Sequence, residues 1–172
     1  MFLSEKRHIT FGSKKPVLPS TSSIRIRKAH PGDLDNIMKY SLKMRQMSLL
    51  NELRKEAKDE KINLCNYRLA LCGAINGQGL VLVAENCEGF KGFIFGKITE
   101  SIWSAGTKIL EEVGYLADTP KFTYIMLKEY VRIACEMKKD GVIKLITMGD
   151  MVGVSPDYSK FGMRLVERKW AM

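Results

Sequence analysis

Asp157-Tyr158-Ser159-Lys160-Phe161-Gly162-Met163 is the stretch on which the reading of this chain turns. It follows an apolar, strand-like run from Val142 to Met148 and leads into Met163-Arg164-Leu165-Val166-Glu167-Arg168-Lys169-Trp170, whose residues alternate. A short helical turn stopped by a glycine and followed at once by period-two alternation is a helix-to-strand corner. Tyr158 stands four residues ahead of that glycine, so the corner carries a phenol.

Upstream, Asp118-Thr119-Pro120 caps the strongest helix in the chain, Lys121 to Lys139. Its apolar stripe is Tyr124, Leu127, Tyr130 or Val131, Ala134 and Met137, and Gly141 follows the stop. Before it lies a meander. Gly79 to Glu85 is a buried strand, Glu88-Gly89-Phe90-Lys91 turns, and Gly92 to Ile98 returns as the hairpin partner. Ser104-Ala105-Gly106 reverses the chain into a third strand, Thr107 to Ala117, although Ile109-Leu110-Glu111-Glu112 also reads as a helical turn. At the front, Ile24 to Ala29 alternates apolar and basic residues and is predicted to be a strand. Asp33 is the expected N-cap of a helix carrying Leu34, Ile37, Met38, Leu42 and Met44 or Arg45 inward. A charged stretch, 51–61, separates it from a second helix on Ile62, Leu64, Cys65, Leu69 and Cys72. Residues 1–22, with Pro16, Pro19 and a Ser/Thr cluster, read as an extended arm, and 23–172 as one domain.

The totals exclude several classes. A chain of 172 residues, 45% hydrophobic and 27% charged, can bury a core without metals or disulfides. No apolar run approaches the ~20 residues of a membrane span. Charge at the N-terminus, where a signal peptide needs an apolar core, argues for a cytoplasmic protein. The four cysteines form no CxxC pair and read as reduced core residues, and two distant histidines give zinc little support. Residues 1–28 hold seven of the basic side chains against one acid, so most of the net +9 belongs to this leader. Such a segment suits nucleic acid or an acidic partner, and equally a solvated tail.

The corner around Tyr158, with the order strand, two helices, three-strand meander, long helix and strand, resembles the GNAT N-acyltransferases from Ile24 to Trp170. That resemblance implies an α+β fold of α/β/α layers. Its sheet is mixed but mostly antiparallel, with a V-shaped splay between the fourth and fifth strands and helices on both faces. It also implies acetyl transfer from acetyl-CoA, lying in that splay, to a primary amine on a small molecule or protein. Tyr158 is then the acid that protonates the departing thiolate. Glu111, on the third meander strand, is the base, and Glu112 points to the opposite face. The cofactor-binding positions that follow are Leu116, Ala117, Lys121, Phe122 and Thr123.

The chain departs from the family at the helix head. The family's Q/R-x-x-G-x-G/A loop turns several backbone N–H groups toward the pyrophosphate. Here the segment is Ala117-Asp118-Thr119-Pro120-Lys121-Phe122-Thr123-Tyr124, without a glycine. Met151 and Val154 replace an Asn and an Ala common before the tyrosine, and Pro156 shortens its helix. A lost glycine loop and a basic arm are similar to features of acetyltransferase-like internal virion proteins of phages. A catalytically inactive structural protein of that kind is therefore the alternative. Structural readings of the same residues stand beside these: Tyr158 as a tyrosine packed at the sheet end, both glutamates as solvated side chains.

Overall fold

The computed structural model describes residues 23–47, 64–102, 104–149 and 157–164. The arm 1–22, the charged stretch 51–61 and the strand expected after Arg164 lie outside the described residues. Five strands form one sheet in the order β1 to β5: β1 Arg25–Lys28, β2 Gly79–Asn86, β3 Gly89–Glu100, β4 Lys108–Ala117 and β5 Leu145–Thr147. The first four are antiparallel, and β5 runs parallel to β4. The helices are α1 Leu34–Met47, α2 Leu64–Gly73 and α3 Pro120–Lys139. The expected mixed sheet between helical layers is therefore present, and residues 109–112 are strand.

Both faces of the sheet are covered, which is why β2 and β3 read as continuous apolar runs rather than alternating ones. Leu80, Leu82, Ala84, Ile94, Leu110 and Tyr115 pack with Met126, Leu127, Tyr130 and Ala134 of α3. Val81, Val83, Phe93 and Phe95 point the other way, onto Ile37 of α1 and Leu71 of α2. Each fully buried Leu, Ile or Phe here contributes about 1.5–3 kcal/mol.

Two irregularities shape the mouth of the sheet. Gly96 pairs with Glu112 and Phe95 with Gly114, so Val113 is an extra residue that bulges β4. Pairing with β5 covers only Ile109–Glu111 against Leu145–Thr147. Beyond that point β4 continues to Ala117 while β5 has ended, and no described residue pairs with that edge of β4. The sequence reads Val142 to Met148 as one buried strand. The paired part is shorter, and Val142 and Leu145 are 44% and 47% exposed.

Other expectations are corrected by packing. Asp33 is not a helix N-cap but the third residue of a capping box on a 3-10 turn, Pro31–Asp33, whose cap is His30. Its buried carboxyl accepts from His30 N–H and from both terminal nitrogens of Arg27. Burial opposes ionisation there, but the Arg27 hydrogen bonds prevail and hold the carboxyl below the usual range. Tyr124 lies at the border of the α3 stripe, not within it, and is half exposed. The cysteines are free, but Cys65, Cys87 and Cys135 are exposed rather than core residues.

Candidate functional site

Where the pairing of β4 with β5 ends, side chains from two elements, β4 and the 3-10 turn that carries Tyr158, meet around one residue, Gly149. Its N–H donates to Glu112 Oε2 at 3.0 Å, and its carbonyl accepts the Tyr158 hydroxyl at 3.0 Å. Tyr158 reaches that position from a 3-10 turn, Tyr158–Phe161, capped by Asp157 and ended by Gly162 in the left-handed region at φ 77°. Only glycine adopts that φ without strain, which is the physical reason for the tyrosine-to-glycine spacing. The Tyr115 hydroxyl of β4 lies 3.0 Å from that of Tyr158. A phenol carries one proton, so while Tyr158 donates to Gly149 it accepts from Tyr115.

Glu112 and Glu111 differ sharply. Glu111 is exposed at the last residue paired with β5. Glu112, one residue on, is partly buried, and burial pushes its carboxyl up to about 7, against the Gly149 N–H, with the Glu111 charge adding to the rise. A carboxyl raised toward neutrality and a phenol that donates its proton, both held on Gly149, form a pair able to take up one proton and supply another. Nothing in the sequence separates these two glutamates except strand register. The bulge at Val113 and the reach to Gly149 distinguish them only in three dimensions.

The head of α3 is built differently. Thr119 caps it, its hydroxyl accepting from Phe122 N–H at 3.4 Å. Thr123 returns both its N–H and its hydroxyl to the Thr119 carbonyl, at 3.1 Å and 3.2 Å. Pro120 has no N–H, so of the first-turn donors Lys121 is the one these internal bonds leave aside. The Phe122 ring packs against the α3-side core, as does Ala117, whereas Leu116 packs on the α1 side and Lys121 is exposed. Asp118, which in sequence threatens an anion at this corner, is turned to the Tyr40 hydroxyl at 2.8 Å, with Lys91 at 4.0 Å. Burial and then that carboxylate push the Tyr40 hydroxyl up to about 12. The residues present therefore do not form a phosphate cradle, whereas beyond Glu111 no described residue pairs with the outer edge of β4.

Solved structures of the same shape exist. A predicted acetyltransferase from Clostridium acetobutylicum, solved with acetyl-CoA, superposes with a TM-score of 0.59 at 13% identity, over 87% of this chain and 96% of its own. An aminoglycoside antibiotic 6′-N-acetyltransferase from Acinetobacter baumannii gives 0.56 at 12% identity, over 87% and 97%. The chain has a GNAT-like fold. A transcriptional regulator from Bacillus halodurans is also similar, at a TM-score of 0.59 and 18% identity over 87% and 99%, so the GNAT-like fold alone does not fix a role. No protein-family model matches the chain, and no curated protein matches it by sequence. Among the described residues, no helix is long and apolar enough to cross a membrane.

Proposed function

We propose that this chain transfers an acyl group, most simply acetyl, from acetyl-CoA to a primary amine. The observation that carries the reading is the pair held on the two sides of Gly149, a glutamate poised near neutrality and a tyrosine hydroxyl, at the mouth of the gap between β4 and β5. In this reading the thioester supplies the acyl group. Glu112 takes the proton that the acceptor ammonium sheds, so that the amine nitrogen can form the new C–N bond. Tyr158 gives its proton to the sulfur as the C–S bond breaks and is restored by the second proton that the new amide nitrogen sheds, and Tyr115, hydrogen-bonded behind it, steadies the phenol. Glu112 is favoured over Glu111 as base, because the partly buried carboxyl is the one that shares Gly149 with Tyr158. Leu116 and Ala117 supply strand edge to the donor's arm, and Lys121, Phe122 and Thr123 border its nucleotide end. The acceptor is a small molecule or a protein amine.

The experiment is thiol release from millimolar acetyl-CoA against a panel of primary amines, with thermal unfolding followed in parallel. A ligand that binds the native state raises the melting temperature by mass action. Release with at least one amine, lost in Tyr158→Phe, is the expected result. No release with any amine and no thermal shift would remove this reading. A second reading, a catalytically inactive scaffold such as a virion protein, draws on the self-capped head of α3. The basic residues 1–28 then dock an acidic partner or nucleic acid, which heparin retention that is salt-sensitive and lost on deleting 1–22 tests.

A further inference from the structure

Tyr130 is fully buried, and its hydroxyl has no hydrogen-bond partner among the described residues. Leaving such a group unsatisfied costs on the order of 1–3 kcal/mol, so it calls for an explanation. Its place supplies one. A Cβ built on Gly96 would coincide with the Tyr130 hydroxyl, so the phenol fills the side-chain slot that this glycine leaves open. Gly96 is the cross-strand partner of Glu112, and partners on antiparallel strands place their Cβ atoms on one face about 4.5–5.5 Å apart. The hydroxyl therefore stands where a cross-strand neighbour of Glu112 would stand, beside the bulge at Val113, where one residue of β4 has no opposite number. Burial first, and then the charge of Glu112, raise the Tyr130 hydroxyl, so the two groups sense one another although no direct bond joins them, and one water is the usual link between two such polar groups.

We propose that Tyr130 is a positioning residue for Glu112: its hydroxyl, seated in the slot of Gly96, holds one internal water that donates a hydrogen bond to the Glu112 carboxyl. The water satisfies the buried phenol and gives the carboxylate a second donor besides Gly149 N–H. Among the described residues, the other titratable groups that act on Glu112 are Glu111 on its own strand and Tyr67 on α2, with Tyr158 reaching it through Gly149. None of these changes when the Tyr130 hydroxyl is removed. The proposal rests on the proposed function only for its effect on turnover; the water and its donor role stand apart from acyl transfer.

The test is the protonation midpoint of Glu112, read from its side-chain carbonyl carbon by NMR and assigned with Glu112→Gln, in the wild type and Tyr130→Phe. Loss of a donor to the charged form raises the midpoint. An upward shift of about half a pH unit or more is expected. A midpoint unchanged or lowered overturns the proposal, whether or not the protein acetylates anything. A crystal structure of the unsubstituted chain reads the same claim without a mutation. An ordered water within hydrogen-bonding distance of Tyr130 Oη and the Glu112 carboxyl is expected there, and a dry gap, or one filled by a side chain, overturns it.

Discussion

The mouth of the β4–β5 gap and the head of α3 lie in neighbouring parts of one fold and have been treated in opposite ways. At the mouth, backbone groups are spent on polar side chains: one peptide unit on each side of Gly149 holds Glu112 and Tyr158. At the helix head, side chains are spent on backbone groups: Thr119 and Thr123 close the first turn on itself, and Pro120 removes a donor. The first arrangement keeps a titratable carboxyl at an energetic cost; the second gains a stable helix start and loses an anion site. On the proposed function, the difference separates the proton-handling pair from the grip on a nucleotide tail.

The comparison breaks soonest at Tyr158. Tyr158→Phe removes one hydroxyl and is expected to lower kcat by about 10²-fold or more, the usual scale of a lost proton donor. Unfolding midpoints should stay close to wild type, because the ring still packs on the core. A fall in activity matched by global loss of structure would make the tyrosine a packing residue.

Glu112→Gln sharpens the contrast between function and stability at the same spot. Activity should drop by ten- to a hundredfold, and the limb of the pH–rate profile near 7 should vanish. The sign for stability follows from the raised carboxyl. Its favourable contribution is complete below the ordinary value of 4.5 and is lost as pH rises through about 7. Relieved of that ionisation, the variant should be about 1–2 kcal/mol more stable than wild type at pH 8 and no more stable at pH 4, by urea unfolding. Equal effects at both pH values would show that the carboxyl is not held near neutrality.

The smallest effect is expected at the helix head. Pro120→Gly restores an N–H there and should tighten acetyl-CoA binding by only about two- to fivefold, the factor that 0.3–1 kcal/mol of helix-dipole attraction converts to. Titration calorimetry reads it. A hundredfold gain would mean that the head had been a phosphate site blocked by one residue.

The strand order, the long helix and the Tyr158–Gly162 corner were legible because each is written in local periodicity, a cap or a glycine at positive φ. The base was not. Glu111 and Glu112 are adjacent, identical and on opposite faces, and only the bulge at Val113 and the length of the β5 pairing decide which one meets Gly149. The role of Gly96 was hidden for a similar reason: its empty slot matters only because Tyr130, 34 positions later on another element, fills it. Asp118 looked hostile to an anion because its partners, Tyr40 and Lys91, are remote in sequence.

The most direct test replaces acetyl-CoA with S-acetyl-pantetheine, which keeps the thioester arm and lacks the nucleotide. If the working parts lie along the β4 edge and the α3 head adds little, kcat/KM for the truncated donor should fall within about tenfold of that for acetyl-CoA, and Tyr158→Phe should depress both alike. Full turnover of acetyl-CoA with none of the short donor would contradict the account, as would inertness toward both.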